Sequence, residues 1–152
     1  TYMEMVSEQK ISASRKQVWA ALNDTEILKK SMPGCESFDA ISENTFEAKI
    51  TAKVGPVKAK FKFNVELTDI RPPHGYLISG EGQGGVAGFA KGSAKVELSE
   101  DGAETILSYS VKANVGGKLA QLGARLIDGT AKKMADEFFS NFNAMLSGNE
   151  SS

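Results

Sequence analysis

Residues 116–146 constrain this chain most, because they read as one long helix that cannot stand alone. Unbroken, it would run about 45 Å at 1.5 Å per residue. Leu119, Leu126, Ile127, Met134, Phe138, Phe142 and Met145 recur at helical spacing. Arg125, Asp128, Lys132, Lys133 and Asp136 lie largely off that stripe. A helix of this kind draws its stability from a surface that covers its apolar face. Everything upstream reads as short strands, so the chain predicts a sheet built to hold this helix. Gly123 and Thr130 fall inside the stripe, where a core helix normally carries Leu or Ile. Either a backbone comes close there, or there is space.

The strands announce themselves by alternation. Thr45–Val54 places Phe46, Ala48, Ile50, Ala52 and Val54 on one face and Glu47, Lys49, Thr51 and Lys53 on the other. After a Gly55-Pro56 turn, residues 57–70 repeat the pattern, with Phe61, Phe63, Val65 and Leu67 against a lysine row, Lys58, Lys60 and Lys62. This is the signature of an antiparallel sheet with one dry and one wet face, and the lysines read first as the wet face. Tyr2–Ile11 is a first strand. Ser14 is placed to cap a short helix whose buried edge is Val18, Trp19 and Leu22, and Asp24 or Thr25 to cap a second over 26–31. A short strand over 37–41 and a last one over 105–115 complete the set, the latter with Leu107, Tyr109, Val111, Ala113 and Val115 inward.

Residues 80–92, GEGQGGVAGFAKG, are the most unusual segment. A phosphate loop would follow a strand and open a helix, but here both flanks are strands and no Gly-Lys-Ser/Thr ending is present. Strand parity instead carries the inward row of Tyr76 and Ile78 on to Gly80, Gly82 and Gly84, and that of Val96 and Ala94 to Gly92, Ala90 and Gly88. Two neighbouring strands then present an almost bare inner face. Either the helix packs closely against it or it borders a cavity. The same parity turns Phe89 outward, next to Val86 at a loop, as a candidate contact for a membrane or a partner.

Composition narrows the chemistry. The chain has 152 residues, 41% hydrophobic and 24% charged, enough for one domain with a real core. A single domain over residues 1–147 with a flexible polar tail at 148–152 is expected. A net charge of −1 gives no basis for gripping nucleic acid. Cys35 and His74 are the sole residues of their kinds, so no disulfide within the chain and no cysteine-based metal site is expected, and a reducing cytoplasm suits the sequence. The first ten residues lack the pattern of a signal peptide.

Four stretches carry a resemblance. Pro33-Gly34-Cys35-Glu36, AKVGPVK at 52–58, the glycine-rich run at 80–92 and GKLAQLGARLI at 117–127 are similar to the carbon monoxide dehydrogenase G-subunit family, within the START and birch-pollen-allergen superfamily. The resemblance implies an α+β helix-grip fold: a curved antiparallel sheet of about seven strands around a long C-terminal helix, with two short helices after strand 1. It implies a non-catalytic accessory protein of a molybdenum hydroxylase, linking that enzyme to the cytoplasmic membrane or the quinone pool, with no metal or cofactor of its own. It also implies a hydrophobic ligand, a quinone or a lipid, between sheet and helix. Phe61, Phe63, Tyr76, Ile78, Tyr109, Gly123, Ile127, Thr130, Met134 and Phe138 are the residues expected around it, with Tyr109 and Thr130 as hydrogen-bonding groups. A cytoplasmic protein, peripheral at the inner face of the membrane, follows.

Two other readings stand beside this one. The chain could act as an adaptor through its surface alone, by Val86, Phe89 and the strand lysines. It could also be an enzyme, as some helix-grip relatives are cyclases or hydratases. A catalyst would need an acid or base in the pocket. Arg125 and Asp128 are the nearest, and an i, i+3 pair on a helix is usually a surface ion pair, as are Lys132/Asp136 and Lys133/Glu137.

Overall fold

The computed structural model describes residues 1–147; the expected tail at 148–152 lies outside them. Seven strands form one antiparallel sheet: β1 (Tyr2–Ile11), β2 (Cys35–Ala40), β3 (Thr45–Val54), β4 (Val57–Arg71), β5 (Gly75–Gln83), β6 (Phe89–Asp101) and β7 (Glu104–Gly116). Their order is β1-β7-β6-β5-β4-β3-β2, so hairpins link every neighbouring pair from β2 to β7, and β1 joins by pairing with the last strand. Two helices, α1 (Arg15–Leu22) and α2 (Thr25–Ser31), follow β1 as expected. Ser14 caps α1 through a reciprocal capping box with Gln17, and Asp24 caps α2 by accepting from the Glu26 and Ile27 amides. The curved sheet grips a single long C-terminal helix, α3 (Ala124–Leu146).

That helix is shorter than the sequence predicts. Residues 117–122 form a 3-10 segment, and the chain breaks at Gly123 before 23 residues of α-helix, about 34 Å. Gly123 adopts φ 92° and ψ 154°, a region that essentially only glycine visits. So Gly123 is a hinge ahead of the helix, not a gap in its stripe. Gly123→Ala is expected to cost about 1–3 kcal/mol by backbone strain alone, because a Cβ there would touch nothing. Chemical denaturation measures it, and an unchanged midpoint would remove the hinge argument.

The two halves of α3 are held differently. Phe142 is fully buried and stacks on Phe138 with ring centroids 5.6 Å apart, and Phe139 stacks on Tyr109 at 5.2 Å. Asn141 donates to the Ser31 carbonyl at the end of α2, and Asn143 accepts from the Ser12 amide. In the first half only Ile127 is buried. Leu126, expected in the buried stripe, is 37% exposed and leans on the β3–β4 turn, where Gly55 leaves room for it.

The glycine-rich strands are not bare. Phe63 lies opposite Gly82 in the β4–β5 register, and its ring covers that glycine; the Phe61 ring covers Gly84. A side chain at either glycine would collide with a ring. Aromatic residues on the neighbouring strand thus cover these two glycines, and the same rings, with Ala90 of β6, border the cavity described below. Gly88, with φ 121° and ψ −155°, lets the β5–β6 connection lie against Gly116 and Gly117.

Candidate ligand-binding site

Small inward residues leave room under the loosely held half of α3. A cavity of about 360 Å³ lies between the sheet and the helix. β3 supplies Ala48, Ile50, Ala52 and Val54, and β4 supplies Phe61, Phe63 and Val65. Ile127, Thr130, Ala131 and Met134 of α3 form the roof. Met3, Ala90, Ala113, Val115 and Leu119 close one side, and Met32 and Phe38 the other. Thr130 is the sole polar side chain in this lining. Its hydroxyl donates to the Leu126 carbonyl at 2.9 Å, which leaves its lone pairs for an incoming donor.

Five of the ten residues expected around a ligand come together here: Phe61, Phe63, Ile127, Thr130 and Met134. The other five do not. Tyr76 and Ile78 belong to the core under α1, where the Trp19 ring lies 5.5 Å from that of Tyr76. Burial pushes the Tyr76 hydroxyl well above its ordinary pKa. Phe138 sits edge-on to Phe139 in the same core. Tyr109 packs on Phe139 and borders a separate groove of about 210 Å³ between β1 and α3. Gly123 is the hinge. The physical reason is shared: α1, α2 and the phenylalanines of α3 fill one end of the concave sheet, and the void is left at the other.

The sequence reading also missed most of the sheet wall. Ala48 and Ala52 stood in the inward row of β3, and their size was the available signal. Ala52 faces Ala59 across the strands, and Gly92 faces Ala113, so small residues meet small ones.

Charged groups lie outside the cavity. Arg125 lines an open groove on the outer side of α3, and Asp128 borders the β1–α3 groove; the two make no ion pair. Among the described residues no cluster of His, Cys, Asp or Glu could hold a metal ion. The Cys35 thiol donates to the Ser37 carbonyl at 3.2 Å, and burial raises its pKa.

One end of the molecule differs from the rest. The β3–β4 turn, the 3-10 turn Gly85–Ala87, the 3-10 segment and the start of α3 converge there, through Leu126 on Gly55 and Gly88 on Gly117. Val86 is 94% exposed at its tip, and Phe89 is 43% exposed with its ring over Gly116. On the outer face Lys53 stands opposite Lys58, and Lys49 opposite Lys62. Like charges placed so repel. Of the lysine row, Lys60 pairs with Glu36 and Lys62 with Glu47, both at 3.4 Å. At the far end Glu97, Glu100, Asp101 and Glu104 near the β6–β7 turn are each paired with a cation, Arg71, Arg15 or Lys10.

A curved sheet gripping one helix over an apolar cavity defines a helix-grip protein of the START type. Its backbone is similar to that of a START superfamily protein from Mycobacterium smegmatis (TM-score 0.73, 10% identity, 94% of this chain and 96% of that one). The ZhuI aromatase/cyclase of Streptomyces sp. R1128 is similar too (TM-score 0.72, 9% identity, 99% and 96%). At those identities the likeness concerns fold alone. A conserved protein from Geobacillus kaustophilus is nearer, at 31% identity and TM-score 0.90 over 95% of each chain. The chain itself belongs to the carbon monoxide dehydrogenase G-subunit (CoxG) family, whose family model matches residues 8–147. No curated protein sequence matches it. Family and fold together point to an accessory, ligand-binding protein. No described helix is long and apolar enough to cross a membrane.

Proposed function

We propose that this protein is a non-catalytic accessory component of a molybdenum hydroxylase of the carbon monoxide dehydrogenase type. It holds a hydrophobic molecule, a quinone or a lipid, under α3 and links the enzyme to the membrane or the quinone pool. The observation that carries this reading is the cavity. At about 360 Å³ it falls within the usual range of small-molecule sites. Apart from Thr130 its lining is apolar, and it contains no carboxylate, imidazole, amine or thiol that could move a proton. That chemistry suits carriage of a molecule rather than its conversion. Native mass spectrometry of the purified protein is expected to show a co-purifying hydrophobic molecule, or saturable uptake of an added quinone or lipid. Protein that stays empty with both would refute the reading.

The adaptor reading is supported by a different observation, the exposed Val86 at the end where Lys53 and Lys58 flank the β3–β4 turn. Lys and Arg near an anionic bilayer contribute about 1 kcal/mol each, and an apolar tip adds burial. Sedimentation with vesicles rich in phosphatidylglycerol is expected to bring down the wild type and several-fold less of a Val86→Asp/Phe89→Asp variant. Neutral phosphatidylcholine vesicles should leave both in solution. Equal sedimentation of the two proteins would direct the search to another face.

A further inference from the structure

The two edges of the sheet are finished differently. β2 is six residues long and broken by a register shift between Cys35 and Ser37. Short strands and bulges are how proteins keep an edge from pairing. β1 has neither. Its ten residues pair with β7 in unbroken register, and among the described residues no strand pairs with its other side. Thr1 and Val115 exchange backbone bonds of 2.7 and 2.8 Å, which sets the alternation along β1. Met3, Met5, Ser7 and Gln9 therefore bond to β7, while Glu4, Val6 and Glu8 turn both N–H and C=O to the open side. Among the described residues no other backbone hydrogen bond reaches those three. Their side chains stand exposed on the outer face, Val6 at 74%. The open side borders the groove of about 210 Å³, which α3 walls with Asp128, Lys132 and Asp136. Five successive residues of β1, Met3 to Ser7, line it. Successive strand residues point to opposite faces, so what these five share is the strand edge itself.

We propose that the β1 edge receives an extended cationic segment of a partner protein as a further antiparallel strand, with Lys or Arg facing Glu4 and Glu8 and an aliphatic residue facing Val6. In such docking the main chain supplies affinity and alternate side chains supply specificity. The charges define the partner. Glu4 accepts only from the Tyr2 hydroxyl and Glu8 from that of Ser108, and Lys132 is taken by Asp136. Glu4, Glu8 and Asp128 are thus left without a cation among the described residues. A second copy of the chain fits poorly. Two β1 strands paired about Val6 would oppose Glu4 to Glu8 twice, and like charges so placed repel. Lys10, the cation of the strand, is already held by Asp101 and Glu104. Docking here requires neither a ligand in the cavity nor a membrane.

Fluorescence anisotropy with a labelled peptide, Gly-Lys-Thr-Val-Thr-Lys-Gly, tests this on the full chain. Saturable binding is expected, about tenfold tighter than that of the same peptide with Glu in place of Lys. Methylating the Val nitrogen of the peptide, which would face β1, should weaken binding about tenfold, the scale of one or two backbone hydrogen bonds. Methylating a Thr nitrogen, which would face away, should leave binding nearly unchanged. Val6→Pro removes an outward N–H and no bond to β7, so the fold should persist while peptide binding is lost. In Glu4→Lys/Glu8→Lys, which leaves the backbone as it is, the preference should reverse toward the Glu peptide. No saturable binding, equal binding of the Lys and Glu peptides, or indifference to which nitrogen is methylated overturns the proposal. Self-association that Val6→Pro abolishes, in place of peptide binding, would assign the edge to a second copy and overturn it as well.

Discussion

Phe142→Ala is expected to lower the unfolding free energy by about 3–5 kcal/mol, the usual cost of removing a buried phenylalanine. Phe142 has no exposed surface, and it stacks on Phe138 where the core of the sheet meets α1 and α2. The neighbours that would have to close the void are themselves fixed. Phe138 is braced edge-on by Phe139, and Asn141 and Asn143 tie the flanking turns to Ser31 and Ser12. With little relaxation available, the cost should fall in the upper part of that range. For a chain of this size the thermal midpoint should drop by about 10 °C. Calorimetry checks it. A loss under 1 kcal/mol would mean that this end of α3 is as loosely held as the other. Met134→Ala makes the contrast. It removes a side chain that already borders empty space, so its cost should be well below that of Phe142→Ala.

This asymmetry explains what could be read from the chain and what could not. The strands, the caps at Ser14 and Asp24, and the grip of sheet on helix were legible because they are written in local spacing. The outward aim of Phe89 followed from parity, and the structure keeps it. The break at Gly123 was half legible. A glycine in an apolar stripe is visible, but one residue does not distinguish a hinge from a void, since the difference lies in its φ and ψ. The glycine-rich strands were half legible: Ala90 does border the cavity, but the covering of the glycines is non-local. Their missing side chains are supplied by Phe61 and Phe63 from β4, and that depends on the register between hairpins.

The candidate site was divided in the same way. Tyr76, Ile78 and Tyr109 share inward parity with Phe61 and Phe63, Phe138 lies on the apolar stripe of α3, and neither pattern says anything about position along the groove of the sheet. What separates core from cavity is where α1 and α2 dock, which brings Trp19 over Tyr76.

Filling the cavity should separate its two possible natures by opposite signs. Ala52 and Ala131 both line it, one from β3 and one from α3, and both could grow into the void. In a cavity kept for a ligand, Ala52→Leu/Ala131→Leu adds buried methyl and methylene groups at about 0.8 kcal/mol each. Imperfect fit offsets part of that, so a net gain of about 1–3 kcal/mol is expected in the ligand-free protein. Uptake of quinone or lipid should fall at least tenfold in the same variant, since space given to leucine is denied to the ligand. A gain in stability with a loss of binding is the trade-off of a site that holds empty volume for function. In a packed core, by contrast, the added groups would force side chains off their rotamers and lower stability by about 1–3 kcal/mol. Denaturation and ligand titration on one preparation decide between the two. A variant that is destabilised yet binds as before would place the ligand elsewhere on the protein and overturn the carrier reading.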